Sequence, residues 1–403
     1  MSTITPELKP YIDQMRALAR TRGLGRQIDT YSDEDLLAFL REARREKSLD
    51  ASSSDKPSAA TMKTMSALEL CLLGEGMLEQ SRWPEAKSVL LYALKQSKRE
   101  GDKKRQVYVS IPLGQVYANL EDFPQAHELL QEALALARGL GDRWLQGAVH
   151  DRIGDIHNTQ SQYSQAIVHY EEVLAIGEEL GNEEILAVGY GNLGGVYTEQ
   201  NDLEQAIAAY EKAVALSKKI GADERTATQY GNLGALWARQ SLPDPARKTP
   251  PGKVPVFGQR LNPKTDAADT RVNPEEEKRN LDKATRMFNK ALAIFERIDN
   301  PASTAQAYRN LASAYRQKGN VSKALKLYRK SLDNLARVGD RRGAALCHFD
   351  IGDMHWDRIY DRGGDINKAR ENFEKARVLF EQAGDLRGAR EATRALNQLR
   401  MVS

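Results

Sequence analysis

The chain has 403 residues, of which 29% are charged and 7% aromatic, and its formal net charge is +3. No apolar run approaches the roughly 18 residues of a membrane-spanning helix, and the first residues lack the basic and apolar segments of a secretory signal. We therefore expect a cytoplasmic protein with no membrane partner, in which Cys71 and Cys347 are reduced core thiols.

Residues 1–50 precede the periodic part of the chain and are predicted to form a helical cap or arm. Ser32, with Asp35 three residues later, resembles a capping box at the start of a helix. We expect this segment to cover the first repeat, although an arm that folds onto the binding surface remains open. Residues 51–60 contain three consecutive serines and are predicted to be a linker.

From residue 61 onward, small residues recur at a fixed interval of 40 residues. The recurring positions are Gly74, Gly114, Gly154, Gly194 and Gly234 in one series, Ala86, Ala126, Ala166 and Ala206 in a second, and Gly101, Gly141, Gly181 and Gly221 in a third. A period of this length indicates an array of repeated supersecondary units. Each unit reads as two helices joined by a turn, in which small residues let the helices approach and larger ones fill the adjoining space.

These repeats divide the chain into segments. Residues 61–240 are predicted to hold repeats one to four and the first helix of repeat five. Residues 281–385 hold the second helix of repeat five and repeats six and seven, with five extra residues around 360–364. Residues 386–403 are predicted to form a C-terminal capping helix.

Residues 241–280 interrupt repeat five and are predicted to be a proline-rich, basic insertion. Seven of the chain's 14 prolines lie there, which excludes regular helix or sheet. Residues 247–264 carry five basic side chains and no acidic one. Two interpretations stay open: an exposed loop, and a tether that docks on a partner or on the array itself.

The net charge conceals two regions of opposite sign. Residues 61–240 contain 17 Lys and Arg against 25 Asp and Glu, whereas residues 302–403 contain 20 against 12. Such a division can select the orientation of a partner through long-range potential. Alternatively, both regions are solvated surfaces without a partner. We expect no nucleic-acid partner, because the basic residues are spread over all repeats.

Three local motifs are tested against enzymatic or metal-binding roles. Residues 189–194 match the GxGxxG pattern, but they fall inside a predicted helix instead of between a strand and a helix. His150 and His157 are seven residues apart, or about 10.5 Å along a helix, which is too far to share one ion. His348 and His355 repeat this spacing and are likewise predicted to be packed side chains. With no nucleophile and base on one surface, we expect no catalytic residue, cofactor or metal, and therefore no enzyme.

The repeats resemble the tetratricopeptide repeat over roughly residues 61–385. They are longer than the family's usual repeat of about 34 residues. With their Gly-Asp or Gly-Asn turns and the "NLG" in their first helices, they resemble the class found in LGN/Pins spindle-orientation scaffolds. The resemblance implies an all-α, right-handed superhelical solenoid of about seven helical hairpins, with first helices lining a concave groove.

The resemblance also implies a set of groove residues. In the family, an Asn directly before the repeat's Leu contacts bound peptide, and three Asn residues here stand at that position. The partner-binding candidates are Asn192, Asn232 and Asn310, with Arg152 replacing the Asn in repeat three, and Asp155, Asn158, Glu199, Arg239, Arg309 and Arg316 on the same predicted face. The alternative is that the three Asn side chains bond to the neighbouring repeat.

The sequence therefore predicts a non-enzymatic scaffold or adaptor that binds a partner protein through a peptide or helical segment. Two alternatives remain. One is a permanent structural subunit of a large complex, such as an axonemal, photosynthetic or secretion assembly, and a cytoskeletal or ciliary location would follow from it. The other is a peptide-sensing regulator similar to bacterial Rap proteins.

Overall fold

The computed structural model describes Met62 and residues 67–79, 82–242, 273–357 and 365–401. Within these ranges the chain forms helices and no strand, which confirms the all-α prediction. The helices are α1 (Ala67–Glu79), α2 (Trp83–Glu100), α3 (Lys103–Asn119), α4 (Phe123–Gly139), α5 (Arg143–Thr159), α6 (Tyr163–Glu179), α7 (Glu183–Glu199), α8 (Leu203–Lys219), α9 (Asp223–Gln240), α10 (Pro274–Arg297), α11 (Pro301–Gln317), α12 (Val321–Val338), α13 (Arg341–Asp357), α14 (Ile366–Gln382) and α15 (Leu386–Arg400). They pair along the chain into the expected seven hairpins, α1–α2 through α13–α14.

A Gly-Asp pair separates the first two hairpins. Gly101 ends α2 with φ of 70°, in the left-handed region that glycine occupies without strain. The next residue, Asp102, starts α3 by accepting a hydrogen bond from the backbone N–H of Arg105 at 2.9 Å. The same arrangement recurs at Gly141 and Asp142, so the period of the sequence fixes the period of the helix ends.

Within each hairpin, a small residue of the first helix faces a large residue of the second. A Cβ atom added to Gly154 would lie 2.7 Å from the ring of Tyr170, and one added to Gly194 would lie 2.7 Å from the ring of Tyr210. Both distances are far shorter than van der Waals contact. The size matching predicted from the sequence is thus what allows the two backbones to approach.

The described helices belong to two compact units, one ending at Asn192 and the other beginning at Leu193. The first unit has a continuous apolar core from α1 to α5, built around fully buried leucines such as Leu113 and Leu130. The second unit contains separate clusters around Tyr210, around Tyr328 and around Phe373.

The second helix of repeat five begins earlier than the sequence predicts. It starts at Pro274 instead of Leu281, and the side chain of Asn273 caps it by accepting a hydrogen bond from the N–H of Glu275 at 3.0 Å. A proline in the first turn needs no backbone donor, so Pro274 favours the helix start that its place in the insertion seemed to exclude. The predicted arm 1–50, linker 51–60, residues 243–272 and residues 358–364 lie outside the described residues.

The last helix, α15, is buried on one side only. Ala389, Ala392 and Leu399 pack inward, whereas Arg390 and Arg394 are exposed. That α15 caps the repeat array stays a prediction. No helix in the described ranges is both long enough and apolar enough to cross a membrane.

Candidate partner-binding face

The candidate site is the solvent-facing side of the first helices of the hairpins, here called the first-helix face. Within the first unit, α3 lies against both α1 and α5, and within the second unit α11 lies against both α9 and α13. First helices of successive hairpins therefore form a continuous layer within each unit. The three Asn residues of the sequence prediction stand at one register on α7, α9 and α11.

In the first unit, Arg152 and Asp155 of α5 are held by a network of polar side chains. Arg152 Nη1 donates to Asp155 Oδ2 at 2.7 Å and to Gln115 Oε1 of α3 at 2.5 Å. The Tyr170 hydroxyl donates to the other Asp155 oxygen at 2.7 Å, and burial together with that carboxylate raises the pKa of Tyr170. Both candidates are therefore engaged inside the protein.

The neighbouring candidates Asn158 and Asn192 differ from each other in their partners. Asn192 Nδ2 donates to Asp151 Oδ1 of α5 at 2.7 Å, a bond between successive repeats. This is the alternative that the sequence left open for the Asn series. The side-chain oxygen of Asn158 is buried and accepts no hydrogen bond from the residues that the structure describes.

Among the described residues of the second unit, Asn232 and Asn310 form hydrogen bonds only within their own helices. Asn232 Nδ2 donates to Gln229 Oε1 at 3.2 Å, and Asn310 Oδ1 accepts from Gln306 Nε2 at 2.7 Å. Both side chains are half-buried. Each amide uses one polar atom in this way, and its other polar atom has no hydrogen-bond partner among the described residues.

Arg239 of α9 is buried beneath the face and closes the end of α7. Its guanidinium donates to the Thr198 carbonyl at 3.0 Å and to Asn201 Oδ1 at 2.9 Å. Burial lowers the pKa of Arg239, and the carboxylate of Glu199 opposes that effect. Arg239 thus stabilises a helix end, while Glu199 is half-buried at the face itself.

Two ion pairs join α11 to α13 in the second unit. Arg309 Nε donates to Asp350 Oδ2 at 3.0 Å, and Arg316 donates to Asp357. Burial raises the pKa of Asp350, and Arg309 and Arg316 oppose that rise. The positive charges of both arginines are therefore compensated by carboxylates of the next repeat.

These internal bonds share one spacing that the sequence could have revealed. The pairs Asp151–Asn192, Thr198–Arg239, Arg309–Asp350 and Arg316–Asp357 are each separated by 41 residues, one repeat plus one. A search for complementary side chains at that distance would have found three of these pairs. The bond from Arg239 goes to the Thr198 backbone carbonyl and does not depend on the side chain at position 198. Within each unit, hydrogen bonds and ion pairs of this spacing thus link the first helices of successive repeats.

The structure also locates the GxGxxG match and the histidines that the sequence singled out. Residues 189–194 lie within α7, where Gly189 packs closely against Leu174. In the described part of the chain, no group of three or more His, Cys, Asp or Glu side chains is arranged to hold a metal ion. His150 and His157 do not contact each other as a pair, but they meet His127 and His169, which were not among the sequence candidates.

Comparison with known proteins identifies the repeat. The model of the tetratricopeptide repeat family matches residues 107–179, 144–219, 275–337 and 303–382. No curated protein matches the chain in sequence.

Several solved structures are similar in fold. A signal-transduction ATPase with a tetratricopeptide repeat sensor from Pyrococcus horikoshii has 16% identity and a TM-score of 0.54, over 79% of this chain and 43% of that chain. BtubC from P. vanneervenii has 21% identity and a TM-score of 0.49, over 63% and 91%. Aspartyl phosphate phosphatase F from Bacillus subtilis has 14% identity and a TM-score of 0.49, over 99% and 96%. At 16% identity, the likeness to the first shows a shared fold.

Proposed function

We propose, since this chain belongs to the tetratricopeptide repeat family, that it is a scaffold that holds a partner protein by a peptide or helical segment on its first-helix face. Tetratricopeptide repeats are protein-interaction modules, and they are typically not enzymes. We infer in addition that the first-helix face is the binding surface and that the bound segment is a peptide or a helix.

The observation that carries the proposal is the recurrence of a half-buried Asn at one register of three first helices. Within the described residues, one polar atom of the Asn232 amide and one of the Asn310 amide have no hydrogen bond, whereas the Asn192 amide donates to Asp151. An amide offers both a donor and an acceptor, which matches the alternating N–H and C=O groups of a peptide backbone. Half-burial limits the side-chain entropy that binding would cost.

The charge division of the sequence supports a partner segment whose two ends differ in charge. The acidic region 61–240 would favour a basic stretch, and the basic region 302–403 would favour an acidic one. We also propose a cytoplasmic location, because Cys71 and Cys347 are both buried free thiols.

The test compares two triple variants of the same residue type. The first carries Asn192→Ala, Asn232→Ala and Asn310→Ala on the first helices. The control carries Asn→Ala changes on the second helices α10, α12 and α14, where each amide donates to a carbonyl four residues earlier: Asn289, Asn334 and Asn372. A partner is first captured with the unaltered chain and identified, and its affinity is then measured by calorimetry for all three proteins.

We expect the first triple variant to lose about tenfold or more in affinity, since each hydrogen bond contributes roughly 0.5–1.5 kcal/mol. The control should bind as the unaltered chain does, and both variants should keep their melting temperatures within a few degrees. Equal affinity of the first variant and the unaltered chain would refute the proposed face. Equal loss in both variants would show that the Asn register is irrelevant.

A further inference from the structure

Four of the six histidines of the chain meet in one place in the first unit. They are His127 of α4, His150 and His157 of α5, and His169 of α6, here called the histidine cluster. The ring centroids of His127 and His157 are 4.7 Å apart, those of His157 and His169 are 5.4 Å apart and stacked, and those of His150 and His169 are 5.2 Å apart. The cluster therefore joins the second helix of one hairpin to both helices of the next.

The repeat register explains why these rings meet. Where repeat three has His150, the next two repeats have Tyr190 and Tyr230; where it has His157, repeats two and four have Tyr117 and Tyr197. The register of His127 is occupied one repeat earlier by Lys87, whose ammonium lies 4.5 Å from the ring centroid of Tyr117. Imidazoles of repeats two and three thus stand at registers where other repeats carry a lysine or a tyrosine.

The hydrogen bond between His150 and His169 requires that at least one of these two imidazoles is neutral. His150 Nδ1 and His169 Nδ1 lie 2.9 Å apart, so one nitrogen donates and the other must be unprotonated to accept. If both rings were charged, two N–H groups would point at each other. His127 Nε2 lies 3.1 Å from Gln160 Oε1, and His157 Nδ1 lies 2.6 Å from Gln162 Oε1.

The charged groups around the cluster do not compensate for protonation. Glu172 of α6 favours the charged form of His150, but Arg138 of α4 and Arg143 of α5 oppose it. Burial lowers the pKa of His150 and of His157. Burial and the three neighbouring imidazoles lower the pKa of His169 to about 4.

We propose that the histidine cluster is a proton-sensitive joint: α4 packs against α5 and α6 while the imidazoles are neutral, and mild acid loosens that packing. The proposal concerns the chain alone and does not depend on the identity or existence of a partner. It follows from four titratable rings linked by three successive ring contacts at the junction of two hairpins, with a nitrogen pair that cannot hold two protons.

The direction of the pH effect follows from the lowered pKa values. An opened or unfolded histidine titrates at its ordinary pKa of about 6.5, so below that pH the open state binds more protons than the closed one. The contribution to stability is complete above pH 6.5 and is lost as the pH falls towards the folded pKa of His169, about 4. From His169 alone, opening should become about tenfold more favourable between pH of about 7.5 and about 5.5.

The test is hydrogen exchange of peptides from α4, α5 and α6 at those two pH values, corrected for the intrinsic rate. We expect about tenfold less protection at the lower pH in the unaltered chain. The double variant His150→Tyr and His169→Leu takes the residues that neighbouring repeats carry at the same registers, Tyr190 and Leu129. In it the loss of protection should be less than threefold.

A matched control is available in repeat seven. His348 has the register of His150, but its Nδ1 meets the Asn372 side-chain oxygen at 2.9 Å instead of another imidazole. Protonated His348 can still donate to that oxygen, so His348→Tyr should leave the acid response of α4, α5 and α6 unchanged. Equal protection of the unaltered chain at both pH values, or an equal loss in the double variant, would overturn the proposal.

If the double variant fails to fold, a second measurement on the unaltered chain tests the proposal. Titration of the histidine ring protons of the unaltered chain by NMR should show His169 still neutral at a pH of about 5.5, and His150 with a pKa below its ordinary value. Ordinary, independent titration of all four rings in the folded chain would equally overturn the joint.

Discussion

Two adjacent glycines of α7 allow the packing between helices to be measured separately from helix propensity. A Cβ atom on Gly194 would lie 2.7 Å from the Tyr210 ring, whereas one on Gly195 would have only the Tyr210 hydroxyl, at 3.8 Å. Because alanine has the higher helix propensity, Gly→Ala at either site should raise the free energy of unfolding by about 0.8–1 kcal/mol. At Gly194 the added methyl group overpacks the hairpin, at a cost of about 1–3 kcal/mol.

We therefore expect Gly195→Ala to stabilise the chain by about 1 kcal/mol, and Gly194→Ala to be less stable than Gly195→Ala by about 1–3 kcal/mol. We expect a value in the lower half of that range, because repeat six has Ala312 and Tyr328 where this repeat has Gly194 and Tyr210. An alanine opposite a tyrosine is therefore accommodated in one hairpin of the chain. The measurement is urea-induced unfolding of both variants, followed by circular dichroism. Equal stability of the two variants, or a more stable Gly194→Ala, would refute the size-matching explanation of the hairpins.

Two further predictions concern buried polar groups. Asp350→Ala leaves the partly buried Arg309 without its carboxylate and should lower the free energy of unfolding by about 2–3 kcal/mol, measured by urea titration; a change below about 0.5 kcal/mol would show that the pair contributes nothing. Burial raises the pKa of Cys71, and it raises the pKa of Cys347 to about 11, so a thiol reagent at a pH of about 8 should label both cysteines only after denaturation. Fast labelling of either thiol in the folded chain would contradict its burial.

The hairpins and their ends could be predicted from the sequence because their causes are local. Small residues such as Gly194 and turn glycines such as Gly101 act through neighbours in the same repeat, so their period is enough to locate them. The predicted start of α10 was wrong because Pro274 was assigned to the insertion with the prolines that precede it. A proline just after a capping Asn273 belongs to the helix that follows.

The site was harder to predict because its contacts join different repeats. The rotation of Asn192 around its helix could be inferred, but its bond to Asp151 depends on how two hairpins stack. The histidine cluster was missed for a related reason. His150 and His157 were tested only along one helix, whereas His127 and His169 approach them from the two adjacent helices.

The 41-residue spacing of the bonds between first helices has a consequence for how such a chain can change length. Each bond ties a repeat only to its immediate neighbour, so duplicating a whole 40-residue period would supply every new Arg or Asn with a counterpart. An insertion of a few residues inside a first helix would instead turn those side chains away from their counterparts. Growth or shortening in whole periods is therefore the change that this scaffold accepts at the least cost, and extra sequence of any other length belongs in its turns.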